Sequence, residues 1–379
     1  MATSIYLDYA AATPLDTRVG QAMQPYLTTK FYNPSAGYSL AREVQRELTQ
    51  ARAEVAACLG AKPSEIIFTA GGTEANNLAI HGVMSQYPQA NIVISALEHS
   101  AVVKPAENHT TIFANVTPQG LVDIDDIRQK INDQTVLVSC MYANNEIGTI
   151  QPIAKIARLV VELRKQRLKS GNSLPLLLHT DACQAPNYLD IHVSRLGVDL
   201  MSLNGSKIYG PKQSGALYVK GAVVLRPLIQ GGGQERGLRS GTENVAGAIG
   251  FAKALVIAQA MRPQEVKRMQ DLQQEFYKLV TSKIPSANIN GSIKHRLPNN
   301  VHLTISGQDN ERLLMVLDSK GIMAAAGSAC SASKEIASTV LRGIGLSDKS
   351  ARSSIRFIMG RQTTKKDVTV AVQTLAELI

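Results

Sequence analysis

The chain is poor in aromatic residues and in cysteine. Its 379 residues include no tryptophan, 6 phenylalanines and 4 cysteines. The cysteines Cys58, Cys140, Cys183 and Cys330 lie far apart and form no Cys-x-x-Cys pair, which argues against a zinc site and against a disulfide framework. We therefore predict no metal site. We interpret Cys58, Cys140 and Cys183 as structural residues, since a free cysteine usually behaves as a small buried hydrophobic residue.

Two further features are missing, a long apolar run and a clustered basic surface. We find no apolar stretch of about 20 residues, and residues 1–12 contain no basic segment followed by an apolar one, so we expect neither a membrane span nor a secretion signal. The 40 Lys and Arg residues against 30 Asp and Glu give a net charge of +10, but they are scattered without an accompanying aromatic stripe. We expect a cytoplasmic protein that binds neither membranes nor nucleic acid.

The chain does have an alternation of apolar strands and helices. Short apolar runs are each followed by a polar or small-residue turn and a helical pattern, which predicts strands at 66–69, 91–95, 135–141, 174–180, 200–203 and 215–219. Strands that are apolar on both faces predict a mainly parallel sheet covered by helices. Ligands of such sheets bind beyond the carboxyl ends of the strands, so the polar residues after each strand are the candidate site.

The helical patterns divide the rest of the chain. They predict helices at 40–59, 75–83, 245–261, 263–284 and 310–319, and a last helix that begins near Thr364 with Asp367 in the capping-box position. The charged helix at 263–284 leads to a second part with extended segments at 300–305 and 353–357. We predict a large domain of residues 14–260 and a smaller α+β domain of residues 1–13 and 261–379.

Two charged residues stand directly after apolar strands. Asp181 follows the strand at 174–180, and Lys207 follows the strand at 200–203, before a glycine-proline turn. A single lysine is most often an exposed surface residue, and a P-loop is excluded because Pro211 stands where its lysine is required. Together, however, an amine that bonds to an aldehyde and an acid that keeps a ring nitrogen protonated are what pyridoxal phosphate requires.

Other polar residues follow the remaining strands. Glycines before Thr73 open a helix whose N–H groups suit a phosphate; the alternative is an ordinary helix capped by Thr73. His99 follows the second strand and Asn145 the third, and their alternatives are a structural histidine and ordinary turn chemistry. Arg356 lies in an apolar segment, where it pairs either with a ligand carboxylate or with an acid of the protein.

A cysteine and a loop complete the candidates. Cys330 lies in a run of Gly, Ser and Ala residues, which is typical of an exposed thiol that acts as a nucleophile or carrier. The glycine- and arginine-rich loop at 231–242 lacks the Gly-x-Gly-x-x-Gly frame, which excludes a dinucleotide site. A flexible basic loop, an anion-binding loop and a subunit contact remain the alternatives for this segment.

In this order, the motifs resemble those of cysteine desulfurases of the NifS/IscS type, class V aminotransferase-like enzymes of pyridoxal phosphate fold type I. The resemblance runs from Leu7 to Arg361 and is carried by Leu7-Asp8-Tyr9-Ala10, Phe68-Thr69-Ala70-Gly71-Gly72-Thr73-Glu74, Glu98-His99, Asn144-Asn145-Glu146-Ile147-Gly148, Asp181-Ala182-Cys183-Gln184, Lys207-Ile208-Tyr209-Gly210-Pro211-Lys212, Arg239-Ser240-Gly241-Thr242-Glu243-Asn244, Gly327-Ser328-Ala329-Cys330 and Ser353-Ser354-Ile355-Arg356-Phe357. It implies a mainly parallel seven-stranded sheet flanked by helices, plus a smaller α+β domain.

The resemblance also implies a role for each candidate. Lys207 would hold the cofactor covalently and move the substrate's protons, and His99 would stack on its ring and assist acid/base steps. Cys330 would take the sulfur of L-cysteine as a persulfide, leaving L-alanine, and pass it to an acceptor protein of iron–sulfur cluster assembly or tRNA thiolation. The other implied contacts are Asp181 to the ring nitrogen, Asn145 and Gln184 to the phenolate oxygen, Gly72, Thr73, Asn204 and Ser206 to the phosphate, Thr242 to the phosphate of the neighbouring subunit of a homodimer, and Arg356 and Asn33 to the substrate carboxylate.

The chain departs from the family pattern at three places. Asn204-Gly205-Ser206-Lys207 stands where the family usually has Ser-x-His-Lys, so a hydroxyl replaces an imidazole near the phosphate. Tyr38 ends an entry loop where the family often has histidine, and 18 residues follow Arg361, fewer than in relatives whose C-terminal extension docks an iron–sulfur scaffold. A selenocysteine lyase, another class V enzyme and a catalytically weak sulfur-relay partner are the alternative functions.

Overall fold

A computed structural model describes residues 4–327 and 338–379 of the chain. In chain order, its elements are β1 (Ile5–Tyr6), α1 (Thr17–Thr28), α2 (Ser39–Leu59), β2 (Ile66–Thr69), α3 (Gly72–Met84), β3 (Asn91–Ser95), α4 (Ser100–Ala106), β4 (Thr110–Ala114), α5 (Ile124–Lys130), β5 (Thr135–Ser139), α6 (Ile153–Ser170), β6 (Leu177–Asp181), α7 (Val193–Leu196), β7 (Leu200–Asn204), β8 (Gly215–Val219), α8 (Val245–Lys283), β9 (Ala287–Ile289), β10 (Asn300–Ile305), α9 (Asn310–Ser319), β11 (Ile322–Met323), α10 (Thr339–Gly343), α11 (Asp348–Ala351), β12 (Ser354–Ile358) and α12 (Lys365–Glu377).

The largest sheet has seven strands in the order β2-β8-β7-β6-β5-β3-β4 among the residues described. Six of them run in one direction, and β8 is antiparallel to both of its neighbours. Strands β2, β3, β5 and β8 are buried along their whole length, because helices cover both faces of a parallel sheet. The predicted fold class, a mainly parallel sheet between helices, is confirmed.

Strand β4 was not predicted from the sequence. It pairs with β3 alone, at the edge of the sheet, and its first four residues are exposed or half-buried. An edge strand needs fewer apolar residues than a central strand, so it lacks the uniform apolar run that marked the other six. Four predicted strand limits also shift: β5 ends at Ser139, β6 runs from Leu177 to Asp181, and β7 ends at Asn204.

The two helices predicted at 245–261 and 263–284 are wrong, since α8 continues through Pro263 as one helix of 39 residues. Proline removes one backbone hydrogen bond of a helix, which made it a reasonable end point in the sequence. Within the described ranges, α8 is the one helix long and apolar enough to cross a membrane, yet 61% of that apolar stretch is buried inside the protein. Lys253 interrupts this stretch, so the sequence shows no uninterrupted apolar run there. A helix buried to this extent is a core helix of the fold.

Helix α8 packs against two hydrophobic clusters. Phe251 and Leu255 belong to a cluster that includes residues of the seven-stranded sheet, whereas Met269 and Phe276 belong to a cluster around the antiparallel sheet β12-β10-β9. Leu7 joins the second cluster, where β1 pairs with β11. The predicted boundaries of the two domains remain a prediction. The predicted start of the last helix is confirmed by a capping box of Thr364 and Asp367 at α12.

Candidate active site

A cavity lies beyond the carboxyl ends of the parallel strands. It encloses about 880 Å³, part of it open to solvent. Most of its polar wall residues come directly after strands of the large sheet or from the start of a helix, as expected for a parallel sheet. The wall is formed by Ala10, Ala11, Gly72, Thr73, Asn76, His99, Ala101, Met141, Ala143, Asn145, Asp181, Cys183, Gln184, Asn204, Lys207 and Arg356.

Asp181 is the last residue of β6 and is buried. Its two carboxylate oxygens each accept one hydrogen bond: Asn76 Nδ2 donates to Oδ2 at 2.7 Å, and the backbone N–H of Cys183 donates to Oδ1 at 2.9 Å. A carboxylate oxygen can accept more than one donor. The side chain is therefore held in place and can still accept an N–H from a ligand in the cavity.

Asn76 is a site residue that the sequence analysis missed. It is 1% exposed, and its Oδ1 has no hydrogen-bond partner within residues 4–327 and 338–379. Burying such an oxygen without a donor costs about 1–3 kcal/mol, which indicates that a ligand or water completes the site. The signal was present in the helical spacing, because residue 76 is four positions after Gly72 and shares its face of α3.

Lys207 follows β7 in a short 3₁₀ turn, Gly205–Lys207. The side chain is half-buried on the cavity wall, and Nζ donates to the carbonyl oxygen of Ala11 at 2.5 Å. Gln184 Nε2 donates to the carbonyl oxygen of Ala10 at 3.2 Å, so the N-terminal segment closes one side of the cavity. These contacts exclude the alternative of an exposed surface lysine.

The start of α3 forms a bare backbone surface on the wall. Gly71 precedes the helix with φ of 137°, a conformation that favours glycine. A Cβ added at Gly72 would stand 2.5 Å from Cys183 Sγ, so any larger residue there would force the cysteine side chain to shift. Thr73 is exposed in the first turn and does not cap the helix, so the ordinary Thr73-capped helix is wrong. The backbone N–H groups of such a helix start suit an anion.

Asn204 lies beside this surface. Its Oδ1 accepts hydrogen bonds from the backbone N–H of Ser206 at 3.0 Å and from the Ser206 hydroxyl at 2.9 Å. The Asn204 Nδ2 atom lies 3.5 Å from the position of a Gly72 Cβ. In the structure, the Ser206 hydroxyl thus fixes the amide of Asn204, and a direct contact between Ser206 and a phosphate remains a prediction.

Cys183 differs from the other two cysteines that were interpreted as structural, because it lines the cavity. Its side chain is half-buried and lines the cavity, whereas Cys140 is buried and Cys58 half-buried elsewhere. Burial, together with the charge of Asp181, raises the pKa of the Cys183 thiol well above its ordinary value. Cys183 is therefore a neutral thiol that fills space beside Gly72, and it is not suited to act as a nucleophile.

His99 caps helix α4 with its ring. The Nδ1 atom accepts a hydrogen bond from the backbone N–H of Ala101 at 3.1 Å, so the proton of the neutral ring is assigned to Nε2. Burial lowers the pKa of His99, and the charge of Lys207 lowers it as well, although Asp181 acts in the opposite direction. The imidazole is thus neutral near pH 7 and can accept or donate a proton.

The neighbouring Glu98 is a buried acid that the sequence analysis did not single out. Its Oε1 accepts the backbone N–H of Met141 at 2.6 Å, and its Oε2 has no partner among the residues that the structure describes. Burial, and to a smaller extent the charge of Asp181, raise the pKa of this carboxyl to about 8. Glu98 is therefore largely protonated at neutral pH.

Arg356 in β12 is 1% exposed and lines the cavity. Its Nη2 forms a salt bridge with Asp8 Oδ1 at 2.6 Å, and its Nη1 donates to the carbonyl oxygen of Asn145 at 2.9 Å. The Nε atom has no hydrogen-bond partner in the described parts of the chain. Of the two sequence alternatives, the internal salt bridge is confirmed, and the guanidinium also remains part of the cavity wall.

Four predicted residues lie away from the wall of this cavity or outside the described residues. One of them is Ser206, which contacts Asn204 but is not part of the wall. Asn33 is exposed and its Oδ1 accepts the backbone N–H of Ser35 at 2.9 Å. Thr242 is also exposed, in the loop at 231–242. Neither belongs to the wall formed by the described residues. Cys330 lies outside the described residues, so its role stays a prediction.

The loop at 231–242 is anchored at Glu235 and Arg239. Glu235 is buried and binds Arg52 through two contacts of 2.6 Å, and its Oε2 accepts the backbone N–H of Phe68 at 2.9 Å. Arg239 pairs with Glu74 at 3.0 Å. Two salt bridges and a backbone contact therefore hold the loop against α2, β2 and α3.

Comparisons with known proteins match the chain along its length. The model of the family described as aminotransferase class-V matches residues 5–370. A cysteine desulfurase IscS of Dictyoglomus turgidum is 39% identical over 386 residues, covering 100% of this chain and 95% of that protein. A cysteine desulfurase IscS of Methanosarcina thermophila is 37% identical and covers 99% of this chain and 92% of that protein.

Solved structures give the same picture. A structure titled "NIFS-LIKE PROTEIN" superposes with a TM-score of 0.90 at 30% identity and covers 99% of both chains. A structure titled "SspA in complex with cysteine" has a TM-score of 0.81 at 32% identity and covers 94% of this chain and 99% of the other. The similarity therefore includes the second sheet and the last helix as well as the large sheet.

Proposed function

The chain belongs to the aminotransferase class-V family, and on that premise we propose that it is a pyridoxal phosphate-dependent cysteine desulfurase. It converts L-cysteine to L-alanine and keeps the sulfur as a persulfide on Cys330. The observation that carries the proposal is that Asp181, Lys207, His99 and Arg356, four residues distant in sequence, share one cavity. Full-length similarity to proteins named cysteine desulfurase IscS supports it.

The residues of the cavity fit pyridoxal phosphate. An acid and an amine stand in one wall, the backbone at Gly72 is bare, and the buried Asn76 Oδ1 lacks a donor among the residues described. We assign Asp181 to the ring nitrogen, Lys207 to the aldehyde, His99 to the ring face, Asn145 and Gln184 to the phenolate oxygen, and Gly72, Thr73, Asn204 and Ser206 to the phosphate. Thr242 is exposed, which suits a contact to the phosphate site of a second subunit in a homodimer.

The bound cofactor supplies an electron sink that weakens bonds at the α and β carbons of an amino acid. Arg356 binds the substrate carboxylate with its remaining guanidinium donors, with Asn33 as a further candidate contact. Lys207 and neutral His99 take and return protons at the substrate carbon and amine. The Cys330 thiolate attacks the substrate sulfur, so that an S–S bond forms and the C–S bond breaks. The electron pair stays on the carbon fragment, which gains a proton and leaves as alanine.

This stoichiometry needs no external oxidant, because the two electrons that the substrate sulfur loses when it becomes the outer sulfur of the persulfide stay on the carbon fragment and reduce it to alanine. A thiol of an acceptor protein then removes the outer sulfur of the persulfide. We propose a cytoplasmic enzyme whose acceptor serves iron–sulfur cluster assembly or tRNA thiolation. Selenocysteine lyase activity is the rival within the same cavity, and a catalytically weak sulfur-relay protein is the rival outside catalysis.

Turnover assays with matched lysine variants test the proposal. Purified enzyme loaded with pyridoxal phosphate should form alanine and sulfide from L-cysteine in the presence of a reducing thiol. Lys207→Ala should lose both the visible absorbance of the bound cofactor and the activity. Lys212→Ala is the control, since Lys212 Nζ donates only to the Thr13 carbonyl oxygen in the described structure and lies outside the cavity wall.

A Cys330→Ala variant separates the rivals. It should retain the cofactor absorbance and lose alanine formation from L-cysteine, and full alanine formation in this variant would contradict the persulfide. Wild-type turnover of selenocysteine at a rate far above that of cysteine would favour the lyase. Cofactor binding without turnover of either amino acid would favour the relay protein.

A further inference from the structure

The salt bridge between Asp8 and Arg356 joins an arginine of the cavity wall to an acid that the proposed reaction does not use. It joins residues at opposite ends of the chain, with Nη2 and Oδ1 at 2.6 Å. The arginine side chain is 1% exposed and the aspartate side chain 19% exposed. Two charges this close and this well buried interact more strongly than a surface pair. The negative charge of Asp8 therefore affects how strongly Arg356 binds an anionic ligand.

The backbone fixes Asp8 beside Arg356. Residues 7–9 run along β12, where Ile358 donates its N–H to the carbonyl oxygen of Leu7 at 2.7 Å and Tyr9 donates to that of Ile358 at 3.3 Å. The Tyr6 hydroxyl donates to the carbonyl oxygen of Asp8 at 2.9 Å. These hydrogen bonds fix the backbone of Asp8 next to β12, so its side chain starts within reach of the guanidinium.

The guanidinium of Arg356 still has N–H donors with which it can bind a ligand. Nη2 is on Asp8, Nη1 is on the carbonyl oxygen of Asn145, and Nε has no partner in the residues described. A ligand carboxylate would thus be the second anion on one guanidinium. Repulsion between the two carboxylates weakens the binding of the ligand relative to an arginine without an acidic partner.

We propose that Asp8 is a positioning residue that fixes the Arg356 guanidinium and moderates its hold on the α-carboxylate. The moderation matters because the substrate and the product of the reaction carry the same carboxylate. An arginine that bound this carboxylate too tightly would raise the affinity for the substrate and the product alike, and alanine would then leave the cavity slowly. This inference rests on the proposed function for the identity of the ligand.

Equilibrium binding to the cofactor-loaded enzyme tests the inference. In Asp8→Asn, which keeps the size of the side chain and an acceptor oxygen, L-alanine should bind about tenfold more tightly by calorimetry, which corresponds to about 1.4 kcal/mol. Cysteamine, which has the amine and thiol of cysteine but no carboxylate, should bind as in the wild type. The KM for L-cysteine should fall while kcat does not rise.

Asp16→Asn is the matched control. Asp16 also pairs with an arginine from the far end of the chain, Arg361 at 3.0 Å, but neither residue is on the cavity wall. This variant should leave the binding of both ligands unchanged. If Asp8→Asn weakens alanine binding, or shifts cysteamine and alanine alike, Asp8 has only a structural role and the inference is overturned.

A second variant and the wild type remove two ambiguities. Asp8→Ser removes the charge by a different route and must also tighten alanine binding; weaker binding in both variants overturns the inference even if one of them folds poorly. Failure of the wild type to convert L-cysteine would overturn the proposed function. The alanine and cysteamine comparison would still decide the role of Asp8, because it needs no turnover.

Discussion

Replacing Gly72 by alanine should lower both the stability of the fold and the affinity for pyridoxal phosphate, and the two effects can be measured separately. The new Cβ would stand 2.5 Å from Cys183 Sγ, whereas its next nearest neighbour, Asn204 Cβ, would be at an ordinary 3.4 Å. Overpacking of this kind typically costs about 1–3 kcal/mol. Alanine also restricts the unfolded chain more than glycine does, which stabilises the folded variant by about 0.4–1 kcal/mol. The two effects together give a net loss centred on about 1.3 kcal/mol and of at most about 2.6 kcal/mol.

Thermal unfolding of the cofactor-free protein measures this loss. For a chain of this length the midpoint of Gly72→Ala should fall by about 1–4 °C. Gly37→Ala is the control, because a Cβ there meets nothing within 4 Å and the backbone is not in the left-handed region. Its midpoint should stay level or rise slightly.

The double variant Gly72→Ala/Cys183→Ala isolates the contact. Removal of the sulfur should restore most of the lost stability, since it removes the one severe contact, whereas the affinity for pyridoxal phosphate should stay low because the Cβ remains on the cavity wall. If the two substitutions are simply additive in stability, the Gly72–Cys183 contact is not the cause. If cofactor affinity returns with stability, Gly72 does not form part of the phosphate site.

Two further perturbations follow from buried or strained positions. Glu98 has a pKa of about 8 in the folded protein against 4.5 ordinarily, so the folded state binds the extra proton and the wild type loses stability as pH rises from 4.5 to 8. At pH 4.5, Glu98→Gln should therefore unfold at a midpoint similar to that of the wild type. At pH 8, its free energy of unfolding should exceed that of the wild type by on the order of 3 kcal/mol. A difference in stability that does not change with pH would contradict this. Pro263→Ala should stabilise the exposed middle of α8 by about 1–3 kcal/mol in thermal unfolding, and a lower midpoint would show that the proline is required there.

The central strands could be predicted because a strand buried on both faces appears in the sequence as an uninterrupted run of apolar residues. Strands β2, β3 and β8 begin and end at the predicted residues. Strand β4 and the unbroken α8 could not be predicted, for opposite reasons. The edge strand needs little apolar sequence, and tertiary packing on both halves of α8 overrides the cost of an internal proline.

The site was predictable as far as topology dictates it. Asp181 ends β6, and Lys207 lies in the short turn that follows β7, the parallel neighbour of β6, so their proximity follows from the sheet. The partners of those residues were not predictable, because each comes from a distant segment: Asn76 to Asp181, Ala11 to Lys207 and Asp8 to Arg356. Such contacts leave no periodic pattern, and only the folded chain identifies them.

Helix α8 has a mechanical consequence. Its first half is embedded in the hydrophobic cluster that includes the seven-stranded sheet and its second half in the cluster around the antiparallel sheet, so one continuous helix joins the two clusters. A displacement of one cluster relative to the other would have to bend this helix. Pro263 lies between the two embedded halves and has no N–H for an intrahelical hydrogen bond, so we expect such a bend to occur at this turn.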